Sequence, residues 1–170
     1  MDAINYIEKT REYYFRKGYE YAYRYAKNED SPFTPLAKPV NQSRLMMVSS
    51  AGMEIIPDDE PEPQPFKGIN IGEKDKAEVF PIPSDIPKDK LKYITGAHNR
   101  ADSHMLDIDA FFPVTRLREL REQGVIGSLA DNYLRIRPCY STSKTLKLDS
   151  PEVLRLCRED NVDIALLVPV

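Results

Sequence analysis

Both histidines of the chain fall inside one short segment, Gly96-Ala97-His98-Asn99-Arg100-Ala101-Asp102-Ser103-His104-Met105-Leu106-Asp107-Ile108-Asp109, together with three aspartates. Imidazoles and carboxylates at this density can move protons near neutral pH, orient a polar substrate or hold a divalent ion. Their spacing matches no closed metal motif, so no metal ligand set is assigned. The candidate catalytic residues are His98, Asp102 and His104, with Asn99 as a candidate substrate contact. The same aspartates and asparagine also suit the capping of turns and helices, and residue type alone does not choose between these uses.

A second candidate lies at Ser49-Ser50-Ala51-Gly52, directly after the apolar run Ser43 to Val48. A buried strand that runs into small polar residues is how the first strand of an α/β sheet often ends, and loops at that end commonly bind ligands. Ser49, Ser50 and Gly52 are therefore candidate substrate-binding residues, although the same four residues also make a tight turn. The two cysteines, Cys139 and Cys157, form no CxxC pair, which argues against a disulfide framework or a zinc site. Cys157 sits on the apolar face of a short helical pattern and reads as an inert buried thiol. Cys139 follows Arg135-Ile136-Arg137-Pro138, and those guanidinium groups could favour its thiolate. No nucleophile elbow, Walker loop or dinucleotide fingerprint is present.

The elements that must position these residues alternate in type. Ala3 to Asn28 reads as a tyrosine-rich helix interrupted at Gly18, and suits either packing on its own domain or docking a partner. Residues 29–42 carry Pro32, Pro35 and Pro39 and read as an extended strap. Ser43 to Val48 is a strand. Ile55 to Lys67 is acidic and proline-rich and cannot form a sheet interior. Short strands are expected at Lys76 to Pro81, Tyr93 to Gly96 and Leu134 to Ile136. Phe112 to Gln123 is an amphipathic helix with Pro113 in its first turn and Gly124 in the left-handed position after its end. A further helix opens at Ser150-Pro151-Glu152, with Ser150 as the cap and Val153, Leu154, Leu156 and Cys157 as its buried stripe. The run Val162 to Val168 then has the composition of a central parallel strand. The predicted class is α/β: a largely parallel sheet flanked by helices, with an extra N-terminal helix. The division is a helix at 1–28, a strap at 29–42 and an α/β domain at 43–170.

Composition bounds the rest. A chain of 170 residues, 41% hydrophobic and 30% charged, is enough for one real core. The net charge of −3 carries no electrostatic signature of nucleic-acid binding. No run reaches the roughly 18 apolar residues that a membrane span needs, and the charged N-terminus lacks the apolar stretch of a signal peptide. The expectation is a cytoplasmic protein that engages neither nucleic acid nor membrane.

Several segments taken in order resemble selenoprotein B of the glycine/sarcosine/betaine reductase family, including its D-proline reductase-like relatives. They are Phe33-Thr34-Pro35-Leu36 with Lys38-Pro39, Arg44 to Gly52, His98 to Asp109, Phe112-Pro113-Val114 with Arg116 to Leu120, Gly124 to Ala130, and Asp163 to Val170. The resemblance covers roughly residues 32 to 170, and the tyrosine-rich helix is not among the segments that carry it. It implies a reductase subunit whose selenocysteine or cysteine follows the last apolar strand. In the glycine reductase type that selenolate attacks the carbon bearing the activated amine, displaces the amine and passes the fragment to another selenoprotein subunit. It also implies other reductase subunits, a thioredoxin-type reductant and a small-molecule substrate as partners, in a homo- or hetero-oligomer. No cofactor is expected within these residues; the redox nucleophile is expected beyond Val170, and a reading frame interrupted at a UGA selenocysteine codon would leave the α/β domain incomplete. Two other readings stay open on the residues alone: a non-catalytic binding or assembly module on the same scaffold, and a metal-assisted hydrolase using His98, Asp102 and His104.

Overall fold

The computed structural model describes residues 6–19, 29–30, 33–58, 75–93, 107–137, 139 and 141–170. The chain divides into two compact units, Met1–Pro35 and Leu36–Val170.

In the first unit, helix α1 spans Tyr6–Arg16. Glu8 and Arg11, and Glu12 and Arg16, pair one turn apart along it, the spacing at which helical side chains meet. The helix does not run through Gly18 as the periodicity predicts. Gly18 takes φ +83°, and a left-handed glycine terminates a helix rather than interrupting it. The Tyr14 ring stands edge-on to both Tyr13 and Tyr19 at 5.4 Å. The remainder of the predicted helix, residues 20–28, lies outside the described residues.

The second unit is built around strand β1, Arg44–Ser49. Successive side chains of a strand face opposite sides, and here both sides are covered. Leu45, Met47 and Ser49 point to one face; Met46 and Val48 point to the other, and all are 6% exposed or less. Burial on two faces is what permits the unbroken apolar run. Strand β7, Ile164–Val168, lies parallel to β1 in the register Leu45↔Ile164 through Ser49↔Val168. On the other side of β1, two short parallel strands follow one another. β5 (Ser128–Leu129) pairs with its start and β6 (Asn132–Ile136) with its end. The Ala130 N–H donates to Leu45 O at 2.8 Å and bridges the gap between them. β3 (Val79–Pro83) runs antiparallel along β6. It is an edge strand, and Pro81 and Pro83 are tolerated there because an edge strand need donate on one side only. A separate antiparallel pair is formed by β2 (Met53–Ile55) and β4 (Leu91–Tyr93).

Helix α2, Val114–Glu122, covers the face that carries Leu45 and Met47. Val114 and Leu117 are buried there, and Gly124 takes φ +72° just past the helix end. The opposite face is covered by helix α4, Ser150–Glu159, whose Cys157 packs against Met46. The architecture is α/β with a mostly parallel sheet.

Three local expectations are corrected. Ser150 does not cap a new helix. The chain is already helical from α3 (Thr142–Lys144), capped by Ser141, and passes through a π-helical turn at Thr145–Asp149 into α4. The wider turn lies just before Pro151, which lacks an N–H and would clash with the carbonyl four residues back in a regular helix. Leu154 is 49% exposed rather than part of the buried stripe. Finally, β7 is not central: among the described residues it pairs with β1 alone, and Leu167 is 68% exposed on its uncovered face.

Candidate functional site at the carboxyl end of the sheet

The parallel strands β1, β6 and β7 end together, so the residues that follow them converge. Ser49 and Val168 are register partners, as are Ser49 and Arg135. Three strand ends are thereby set side by side.

The Ser49 hydroxyl is fully buried, and its one proton is committed to a backbone carbonyl. It accepts from the Ala51 N–H at 3.0 Å, and it lies 3.1 Å from Val168 O and 3.2 Å from Phe111 O, to either of which it donates. It ties three segments together at the end of β1. Ser50 is partly exposed and holds the segment after β7. Its N–H donates to Val168 O at 3.3 Å, and its hydroxyl accepts from the Val170 N–H at 2.9 Å. Gly52 is buried beside Met53, which opens β2. The four residues Ser49 to Gly52 therefore form the turn from β1 into β2 and the seat of Val168 to Val170.

His98, Asn99, Asp102 and His104 lie outside the described residues. The described residues on either side of their segment are at this end of the sheet. Tyr93 closes β4 opposite Met53, its ring is 4.8 Å from that of Phe111, and Phe111 O faces the Ser49 hydroxyl. On the return, the Asp109 carboxylate accepts from the Thr115 N–H at 2.9 Å in the first turn of α2 and pairs with Lys88 at 2.8 Å. Burial alone would raise the Asp109 carboxyl, but Lys88 and Thr115 outweigh it and hold it below the ordinary value.

The residue that the sequence pattern did not single out is Arg135. It lies on β6 in the phase of Tyr133, facing the larger core, and is 6% exposed. Its guanidinium carbon sits 4.0 Å above the centre of the Phe80 ring, a cation–π geometry. Among the described residues its buried Nε has no hydrogen-bond partner. Burial pushes the guanidinium below its ordinary pKa, and the nearby Glu54 and Glu78 carboxylates only partly offset this. The clue available in the sequence was the alternation in Asn132-Tyr133-Leu134-Arg135-Ile136, which puts Arg135 on the same side as a core tyrosine.

The cysteines are far apart in character. Cys157 is buried, its Sγ 3.5 Å from Met46 Sδ, and burial together with the Asp160 carboxylate pushes its thiol up. Cys139 is partly buried. Among the described residues, no three histidine, cysteine, aspartate or glutamate side chains are grouped to hold a metal ion, and no helix is long and apolar enough to cross a membrane.

These features define an α/β protein with a polar, turn-rich carboxyl end. Comparison with protein-family models, with curated proteins and with solved structures gives no match for the chain.

Proposed function

We propose that residues 36–170 are the front portion of a selenoprotein-B-type reductase subunit. A selenol or thiol that follows Val170 is its nucleophile, and the substrate is a small amino acid or betaine-like molecule. The single observation that carries this reading is the seat of Val170. Ser50 receives its N–H at the carboxyl end of β1, so a residue following Val170 would emerge near the ends of the parallel strands. That is the position at which α/β folds present ligands and nucleophiles. A nucleophile there works as the anion. It displaces the amine from the substrate carbon and holds the remaining fragment as a selenoether or thioether; another selenoprotein subunit takes over the fragment, which frees the nucleophile, and a thioredoxin-type dithiol supplies the electrons for the reductive step. His98, Asp102 and His104 would supply protons in that scheme, with Asn99 and Ser50 as polar contacts. Among the described residues the outer edge of β7 is unpaired and Leu167 is exposed, which also favours further structure against that strand, because an apolar edge left bare invites aggregation.

The test is the coding sequence downstream of the Val170 codon. The expected finding is an in-frame UGA with a continuing frame and a nearby cysteine codon. The protein made from that frame should consume a small amino acid or betaine only with a dithiol present. An ordinary stop codon refutes the reading and leaves a non-catalytic binding or assembly module in its place.

A further inference from the structure

Arginine is almost never fully buried unless it is paired, because a desolvated charge without a counter-ion is among the most unfavourable arrangements a fold can hold. Arg135 is 6% exposed, its Nε has no acceptor, and no ion pair engages it among the described residues. The neighbouring strand residue on the same side, Tyr133, is wholly buried. Of the two carboxylates that act on it, Glu78 is committed to Arg137, and Glu54 forms no ion pair with it among the described residues. The Phe80 ring lies 4.0 Å from the guanidinium carbon, and the guanidinium N–H groups remain as the donor surface. A guanidinium edge presents paired N–H groups that match the two oxygens of a carboxylate. The group lies beside Ser49 at the end of the sheet where ligands bind in this class.

We propose that Arg135 is a binding residue for the carboxylate of a small ligand, held edge-on at the carboxyl end of β6. A carboxylate monoanion fits better than a phosphate, because Glu54 and Glu78 lie close enough to Arg135 to act on it electrostatically and oppose a second negative charge. The inference rests on the proposed function only in taking that carboxylate to be the substrate's own; the site itself does not depend on any redox step.

The experiment titrates the full chain with acetate, glycine and glycinamide, following thermal unfolding and backbone amide resonances. Acetate and glycine are expected to raise the midpoint and shift resonances of β1 and β6, and glycinamide, which lacks the carboxylate, is not. Arg135→Met should weaken carboxylate binding by at least about thirtyfold, as expected when one partner of a charge pair is removed. Without ligand, its midpoint should equal or exceed that of the parent, since an apolar side chain replaces an unpaired buried charge. Arg135→Lys keeps the charge but loses the fork, and should bind weakly while folding normally. Unchanged carboxylate affinity in either variant overturns the proposal, as does an unliganded midpoint for Arg135→Met well below the parent's. Carboxylate binding that survives an ordinary stop after Val170 keeps the site and removes the reductase. Reductase activity whose KM is indifferent to Arg135→Lys does the reverse.

Discussion

Gly127 offers the sharpest steric test of the fold. The loop from α2 into β5 passes directly against the turn at Val40–Gln42, with the Gly127 N–H donating to Val40 O and the Ser128 N–H to Ser43 O, each at 3.1 Å. A Cβ at position 127 would lie 2.7 Å from the Gln42 carbonyl carbon, 2.8 Å from Ser43 N and 2.9 Å from Gln42 Cα. Ordinary contact begins near 3.4 Å, so the backbones must separate by 3.4 − 2.7 = 0.7 Å at the closest point. The obstructing atoms are backbone on both sides of a peptide, not the end of a movable side chain. Overpacking of this kind costs about 1–3 kcal/mol, and the entropy that alanine removes from the unfolded chain returns about 0.4–1 kcal/mol. The net expectation for Gly127→Ala is a loss of about 1–2 kcal/mol, seen in urea unfolding as a lower midpoint at constant m. Gly124 is the control, for it has open space around it but φ +72°. There alanine is strained and asparagine, which tolerates left-handed backbone, is largely accommodated. At position 127 asparagine should instead be worse than alanine, because its side chain is larger. Gly127→Ala within about 0.5 kcal/mol of the parent, the noise of a surface substitution, refutes the close approach. So does recovery of stability by asparagine at 127.

Two further outcomes follow from the charges and thiols. The Asp109 carboxyl titrates below the ordinary 3.8 in the folded chain, so the ionised form favours folding. The stabilisation it gives is fully present above that ordinary value and is lost as pH falls through the lower, folded one. The stability gap between the parent and Asp109→Asn should therefore be constant near neutrality and close in acid; a gap that persists to the lowest pH at which the protein folds rules out the Lys88 and Thr115 contacts as its cause. In a Cys139→Ala background, Cys157 should resist iodoacetamide at neutral pH and react once denatured, because burial disfavours its thiolate. Alkylation of the native protein at the rate of the unfolded chain would show that α4 does not cover Met46.

What the sequence disclosed depended on how local the cause was. β1 and α2 were legible because their patterns are self-contained: an unbroken apolar run buried on two faces, and a helical stripe ending at a left-handed glycine. The carboxyl end of β1 was legible as a place, since small residues after a buried strand mark it, but not as a set of roles. Ser49 turned out to be consumed by Ala51, Phe111 and Val168, contacts up to 119 residues apart that no window reveals. β7 was read as central because composition reports hydrophobicity and not neighbours. β3 was only partly anticipated, because its prolines argue against a strand until antiparallel edge pairing with β6 is known. The π-helical turn before Pro151 had no signal beyond the proline itself, and β5 is too short to announce a period.

The two arginines of the sheet show why Arg135 is informative. Arg44 opens β1 at the amino end, and all three nitrogens of its guanidinium are engaged. Nε donates to Asp160 O at 2.9 Å and Asp160 Oδ1 at 3.0 Å, Nη1 to Leu129 O at 2.8 Å, and Nη2 to Asp131 and Asp160. Its side chain is nevertheless 25% exposed, so water was available to share the work. Arg135, on β6 at the opposite end, is the more buried of the two and has none of these partners. If electrostatic cost alone governed placement, the order would be reversed, with the buried guanidinium paired and the accessible one free. The sheet thus uses one guanidinium to hold β1, β5 and the end of α4 together and, among the described residues, leaves the other without a partner beside the strand ends. Unsatisfied buried groups in folded proteins call for an explanation, and at the carboxyl end of a parallel sheet the explanation that needs the fewest additional parts is an anion that arrives from outside.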